Sequence, residues 1–284
     1  MEYNKERFKE ILLKTFQAFD ELCKKHGLTY YTAYGSLIGA VRHKGFIPWD
    51  DDIDVHMPIE SYEKFLSLKG KLDIPYRIDD MRDKGYFKPF AKFCDANTSI
   101  WEDEDLPCVF GVFVDVFPLY NGGKEDFSRL CSSFRKYAWL YEMATRRIFI
   151  KHFLYAYRNG GIKALYGRFK YLLVYKPLKR YFKKRLLEIE KECRECNGDY
   201  YIAYYGFSQN ACFRKEIFDK VIPMPFETIE CMAPAGYDEY LRQIYGDYMK
   251  LPSIEEQKQS GHPKHFVDLD HYRNLKEIKR ICKH

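Results

Sequence analysis

Residues 33 to 58 read AYGSLIGAVRHKGFIPWDDDIDVHMP, and the rest of the chain is interpreted from this stretch outward. Four carboxylates, Asp50, Asp51, Asp52 and Asp54, stand within five positions. Like charges packed this closely cannot all ionise freely unless something positive sits among them. Ile53, Val55 and Met57 alternate with Asp52, Asp54 and His56, which is the period of a half-buried strand. Residues two apart share a face, so Asp52 and Asp54 are expected side by side. Hard divalent cations such as Mg²⁺ or Mn²⁺ take paired carboxylate oxygens of this kind, with substrate phosphates completing the shell. An acidic loop ahead of an ordinary edge strand is the alternative; the paired acids favour a metal site.

Upstream, Leu28 to Tyr34 is strand-like and gives way at Gly35-Ser36 to a short helical run, Ser36 to Arg42. A glycine at a strand-to-helix turn lets backbone approach a ligand closely. The free N–H groups of the helix start, together with the Ser36 hydroxyl, suit a phosphate. A Gly-Ser turn alone is weak evidence. Standing one loop ahead of an Asp-x-Asp strand, it is the arrangement of a nucleotidyltransferase-type fold.

The twenty residues from Gly35 to Asp54, GSLIGAVRHKGFIPWDDDID, resemble without departure the defining block of the LicD family. That family includes bacterial phosphorylcholine transferases and is related to the animal fukutin-type phosphotransferases. Phe90 to Thr98 (FAKFCDANT) and Val114 to Leu119 (VDVFPL) are similar to later blocks of the family. So are Met224 to Glu227, Ala233 to Leu241 and Tyr245 to Met249. The resemblance is strong over about 28–120, returns over about 223–265, and is loose between.

The 284 residues allow one large domain or a domain with an elaboration. A hydrophobic fraction of 46% supports a core, and 25 Tyr with 22 Phe supply rings able to stack on sugars or cradle quaternary ammonium groups. The opening MEYNKERFKE is charged from the start and lacks the apolar centre of a signal peptide. No apolar run approaches the roughly 20 residues that span a bilayer. Nine cysteines without a tight framework suit a reducing cytosol. Cys193 and Cys196 form the one Cys-x-x-Cys; with Cys212 and Cys231 a zinc site is conceivable, but the downstream half has no close pair, and ordinary free thiols are favoured.

Along the chain, residues 3 to 26 form an amphipathic helix ended by Gly27, suited to cover a sheet. Glu60 to Leu68 reads as a second helix. Tyr86 to Cys94 reads as a strand whose alternation puts Lys88, Phe90 and Lys92 on one face. A lysine alternating into a half-buried strand needs a partner, and a phosphate or a site carboxylate would serve. Glu102 to Asp105 reads as an exposed acidic loop, with Trp101 beside it able to line a pocket. Val109 to Phe117, ended by Pro118, is the most strand-like run, and Asp115 is its one charge. A solitary carboxylate on a central strand costs several kcal/mol unless a cation pairs it.

From Arg135 to Arg185 fifteen Lys and Arg face a single acid, Glu142, interleaved with Tyr, Phe, Leu and Trp. Two helices broken at Asn159-Gly160-Gly161 fit this pattern. Such a basic, aromatic-rich region reads as a membrane-surface contact, or as a solvated hairpin that balances acids elsewhere. Nothing resembles a nucleic-acid module. Gly261-His262-Pro263-Lys264-His265 could bring an imidazole or ammonium to the site, or form a surface tail.

The expected architecture is α+β: a nucleotidyltransferase-type mixed β-sheet core with flanking helices and a helical basic insertion. Residues 1–130 hold the catalytic core, 131–200 the insertion, and 201–284 the part that completes the catalytic domain. The family resemblance implies transfer of phosphocholine from CDP-choline to a glycan hydroxyl, in the cytoplasm or at the inner membrane face. Asp52, Asp54 and Asp115 are the expected catalytic and metal-binding acids, with Asp50 as a further ligand and Asp51 orienting the loop or a water. Gly35, Ser36, Arg42 and Lys92 are expected on phosphate oxygens, and Trp49 or Trp101 near the choline. Other CDP-alcohol donors (glycerol, ribitol, ethanolamine), nucleotidyl transfer to a small molecule, and a non-enzymatic membrane scaffold are the rival readings.

Overall fold

The computed structural model describes residues 3–72, 75–205, 210–259 and 264–282. Its first helix, α1 (Lys5–His26), begins where the Asn4 side chain accepts from the Arg7 N–H, and ends on Gly27 in the left-handed conformation (φ 61°). There follow β1 (Tyr31–Thr32), α2 (Tyr34–Ile38) with a π-helical turn Gly39–His43, β2 (Asp54–Pro58), α3 (Ile59–Ser67), β3 (Tyr76–Asp79), β4 (Ala91–Asp95), β5 (Ser99–Trp101) and β6 (Phe113–Gly122). Three helical segments come next: α4 (Lys124–Thr145), α5 (Ile150–Lys170) with a π-helical turn Tyr171–Tyr175, and α6 (Lys179–Glu195). The chain then runs through β7 (Tyr200–Ile202), β8 (Cys212–Arg214), β9 (Val221–Phe226), β10 (Ile229–Pro234), α7 (Tyr237–Tyr245), α8 (Ile254–Gln259), β11 (Phe266–Asp268) and α9 (Leu275–Ile281).

The main sheet is mixed, in the order β1-β2-β6-β4-β3. β2 and β6 are parallel, while β1–β2, β6–β4 and β4–β3 are antiparallel. The far half of β6 pairs with β7, which carries β8, so the chain after the helices returns to the same sheet. One sheet face is apolar: Ile53, Val55 and Met57 with Val114, Val116, Ala91 and Phe93 pack against Phe16 and Phe19 of α1 and Tyr62 and Phe65 of α3. Phe19 meets both Phe65 and Phe93 edge-on at 5.7 Å.

The opposite face carries Asp54, His56, Lys92, Asp115 and Phe117, and these are buried as well. β2 is therefore covered on both sides, rather than half-buried as its alternation suggests. The second cover is α2 and α7. Tyr34 lies edge-on to His56 and Phe117, at 4.8 and 5.6 Å, and Tyr240 accepts or donates a hydrogen bond with His56 Nε2 at 3.0 Å.

Several expected boundaries move. The run Leu28–Tyr34 keeps ladder pairing only at Tyr31–Thr32, and the helix begins at Tyr34 rather than Ser36. Residues 86–90 lie outside the strand, which is Ala91–Asp95. β6 does not stop at Pro118 but passes through it to Gly122. The Asp115 N–H points to Ile53 of β2, so by alternation position 118 faces the other side. There the register with β4 has ended at Val116 and that with β7 has not begun until Tyr120, so the missing proline N–H costs no ladder bond. Glu102 to Asp105 is not a free acidic loop: Glu102 pairs with Lys92, Asp103 and Asp105 with Arg146, and Glu104 with Lys151.

Candidate active site

The site grows from the parallel pair β2–β6, whose register sets Asp54 directly opposite Asp115. Adjacent strands lie about 4.8 Å apart, so two carboxylates on one face of such a pair share one small volume. Asp52 and Asp50 approach from the loop just before β2, not from the strand itself. The other three acids all act on Asp54. Burial raises Asp54 well above the usual carboxylate range, and the negative charges of Asp52, Asp115 and Asp50 raise it further against the opposing Lys92.

Asp115 has a cation beneath it. Lys92 Nζ donates to Asp115 Oδ1 at 2.7 Å and lies 3.6 Å from Glu102 Oε1. The ammonium also sits 3.3 Å from the ring centre of Phe113. Burial alone would lower the lysine; Asp115 and Glu102 reverse that and hold it above its ordinary range. Asp115 itself is pushed up to about 6 by burial, which Lys92 only partly offsets. Lys92 is thus fixed in the layer of the acids by a strand-to-strand bond, and Lys88 pairs instead with Glu142.

The turn before α2 approaches the same point. Tyr34, not Gly35, holds the left-handed conformation at this turn (φ 47°). Gly35 leaves room for an acid: a Cβ there would lie 2.8 Å from Asp50 Oδ2 and displace that carboxylate. Ser36 Oγ accepts from the Asp54 N–H at 2.9 Å, tying α2 to the first residue of β2. Gly39 is met more tightly, and by backbone, with a Cβ placed 2.4 Å from the Gly45 carbonyl oxygen.

Other expected residues go elsewhere. The Arg42 guanidinium donates to the carbonyls of Tyr248 at 2.7 Å and Lys250 at 3.3 Å, stapling the π-helical turn to the segment after α7. Trp49 is half-buried, edge-on to His43 at 6.1 Å. Trp101 is buried in a small cluster with Phe266 and Ile278, its indole N–H on the Leu106 carbonyl, because β5 pairs with β11 there. Asp51 bonds Lys264, whose ammonium lies over the Phe8 ring, and this separates its role from that of Asp50. Gly261, His262 and Pro263 lie outside the described residues. The nine cysteines include none in a disulfide; Cys193 and Cys231 are buried, and Cys196 and Cys212 half-buried.

Sequence reasoning assigned no role to the groups that frame the acids from above. His56, on the same face as Asp54, is fully buried and burial pushes its imidazole down to about 3. The Tyr34 hydroxyl is buried without a hydrogen-bond partner, and burial followed by the charge of Asp54 raises its pKa. Tyr245 is 44% exposed. Burial of its hydroxyl and then the charges of Asp54, Asp50 and Asp52 raise its pKa. Phe90 and Phe117 pack at 4.2 Å with their planes tilted by 36°, and Tyr205 lies 5.3 Å from Phe90. The Asp-x-His alternation was the available signal for His56; Tyr34 stands beside Gly35 and Tyr245 in the Tyr245 to Met249 block, but nothing local shows that either ring turns toward the acids.

The donor set suits a hard divalent ion: carboxylate oxygens, with the negative charges of Asp50, Asp52 and Asp115 outweighing the Lys92 ammonium at Asp54. Among the described residues no three acidic, His or Cys side chains close around a common point. Such an ion held by one or two carboxylates plus substrate phosphates needs no all-protein cage. Mg²⁺ or Mn²⁺ fits.

Residues 27–154 match the family described as LicD/FKTN/FKRP, nucleotidyltransferase domain. The chain is 32% identical over 260 residues to the lipopolysaccharide cholinephosphotransferase LicD of Haemophilus influenzae, covering 87% of this chain and 92% of that protein. A shorter similarity, 51% over 59 residues, joins it to an uncharacterized protein of Rickettsia typhi, over 20% of this chain and 19% of that one.

Proposed function

We propose a function from one premise: the chain belongs to the LicD family. It is a transferase that moves phosphocholine from CDP-choline to a sugar hydroxyl of a cell-surface glycan, such as lipopolysaccharide, or of its lipid-linked precursor. The observation that carries the proposal is the register of Asp54 against Asp115 on parallel strands, with Asp50 and Asp52 converging from the loop before them. The core is read as a nucleotidyltransferase-type domain spanning 1–130 and completed by 201–284, with 131–200 inserted. The return of β7 to the edge of β6 supports that division.

Bound Mg²⁺ or Mn²⁺ supplies neutralising charge for the diphosphate and acidifies the attacking hydroxyl. Asp52 and Asp54 would hold it, with Asp50 and Asp115 as further ligands. The acceptor oxygen attacks the choline-bearing phosphorus, the bond to the bridging oxygen breaks, and CMP leaves. Asp115, oriented by Lys92, assists loss of the acceptor proton. The α2 N-terminus with Gly35 and the Ser36 hydroxyl faces phosphate oxygens. Arg42 serves by fixing the turn behind them. The choline ammonium is recognised by aromatic faces beside acids, with Tyr205 and Tyr245 the accessible rings of that wall. The enzyme works in the cytoplasm and meets a lipid-linked acceptor at the inner membrane face through its basic middle.

CMP release from CDP-choline with Mg²⁺ or Mn²⁺, with and without a glycan extract, tests this beside Asp52→Asn. Metal-dependent CMP that rises with acceptor and vanishes in the variant is expected. Release from CDP-glycerol, CDP-ribitol or CDP-ethanolamine in its place moves the donor. Pyrophosphate release from CTP makes the reaction nucleotidyl transfer, and silence with every nucleotide leaves a scaffold.

A further inference from the structure

Not all of the basic middle is surface. Leu130, Phe134, Ala138 and Tyr141 of α4 and Phe182, Leu186 and Ile189 of α6 are buried in the body. Between them α5 buries a single residue, Ala156. Gly161 (φ 61°, ψ −154°) interrupts α5 at the expected Asn159-Gly160-Gly161 break. Phe153 and Phe169 then meet at 5.0 Å, so the two halves fold back on each other as a hairpin arm. The arm exposes what a soluble helix hides. Ile162, Tyr166, Phe169 and Leu173, at i, i+4, i+7 and i+11, are 77, 68, 48 and 70% exposed. In the first half Ile150, Leu154 and Tyr157, at i, i+4 and i+7, are 80, 54 and 56% exposed. Lys151, Arg158, Lys163, Arg168 and Lys170 are exposed beside these stripes. From residue 143 to 187 the chain carries thirteen Lys and Arg and no Asp or Glu.

We propose that this arm lies in the interface of an anionic bilayer, its apolar stripes below the headgroups and its ammonium and guanidinium groups among them. The inference narrows the membrane contact of the function proposed above from the whole basic middle to α5 and the turn after it, and stands without the transfer reaction. Paired apolar stripes with tyrosines and flanking cations are the composition of an interfacial helix. A second copy is a poor occupant, since it would bring the same uncompensated positive charge to the contact. Among the described residues no helix is long and apolar enough to cross a membrane. Because the stripes contribute beside the charges, binding resists salt more than a purely electrostatic contact does.

Flotation of the purified full-length protein with phosphatidylglycerol–phosphatidylethanolamine vesicles, against phosphatidylcholine vesicles, tests this. The wild type is expected to float with the anionic vesicles, and part of it to stay bound at high salt. Ile162→Ser/Tyr166→Ser/Leu173→Ser is expected to lose at least about tenfold in partitioning, the scale of several removed apolar side chains. Lys163→Gln/Arg168→Gln/Lys170→Gln is expected to lose the preference for anionic lipid and keep the salt-resistant part. In Tyr166→Trp, extra tryptophan fluorescence quenched by brominated lipid chains is expected. The proposal is overturned if the wild type stays with the unbound fraction, or if the triple serine variant floats as well as it does. It is equally overturned if sedimentation shows a wild-type dimer that those serines dissociate. CMP release in solution is a separate readout, so failure here leaves the transferase reading intact.

Discussion

The β2–β6 face and the α5 arm break the ordinary rule of burial in opposite directions. On the sheet, Asp54, Asp115 and Lys92 are charged groups placed inside. On the arm, Ile150, Ile162, Tyr166 and Leu173 are apolar groups placed outside. Each is costly in isolation, and each points to what relieves the cost. A buried charge must be compensated by partners fixed in the fold or by a bound ion and substrate. An exposed apolar stripe can be covered only from outside. The first region is over-determined by the chain, since β4, β6, the loop before β2 and α2 all converge on it. The second is barely determined by the chain at all.

The sharpest way to test that contrast separates Asp54 from Asp115. Asn at either position is expected to lower transfer by on the order of a thousandfold. Their stabilities diverge. Asp54→Asn relieves repulsion from Asp52, Asp115 and Asp50 and should leave denaturant unfolding unchanged or more resistant. Asp115→Asn strips Lys92 of its closest partner and should cost about 3 kcal/mol. Equal losses of stability in the two variants would mean that the carboxylates do not differ as their partners indicate.

Next in size is Lys92 itself. Lys92→Met leaves Asp115 as a buried charge without its ammonium and is expected to cost about 3–5 kcal/mol in urea unfolding. Adding Asp115→Asn should return part of that, with a coupling of about 0.5–3 kcal/mol in the double-mutant cycle. Strict additivity would show that the bond is not the reason the lysine is inside.

The smallest expected effect lies on the arm. Ile162→Ser/Tyr166→Ser/Leu173→Ser removes side chains that are at least two-thirds exposed, so unfolding free energy should stay within about 0.5 kcal/mol per site of the wild type. A large drop would place these residues against the body and end the comparison.

Much of the site's acid content was legible because it is local. Asp50, Asp52 and Asp54 stand within five positions, and the alternation through His56 put Asp54 on a strand face, although the strand begins at Asp54 and leaves Asp52 in the loop before it. Asp115 stood out as the one charge in an apolar run, and the break at Gly160-Gly161 was audible as a pair of helix-breaking residues. Less legible were residues whose meaning depends on a distant neighbour. Trp101 reads as a pocket ring until β11 pairs with β5. Pro118 reads as a stop until the two partners of β6 are seen to leave a gap beside it.

By itself the sequence determined which chemistry could be present: four clustered carboxylates, a Gly-Ser turn one loop ahead, a lysine alternating into a strand, and a basic segment without acids. Periodicity and composition carry such information because neighbouring residues share geometry. Only the tertiary structure decided how those groups are spent. It placed Lys92 on Asp115, Arg42 on the Tyr248 carbonyl, Lys264 on Asp51, and Tyr240 on His56. Each of these contacts joins segments that local propensity treats as independent. The choice among equally charged partners was made by which strands and helices pack together, because a buried cation must pair with whichever acid the fold brings within reach.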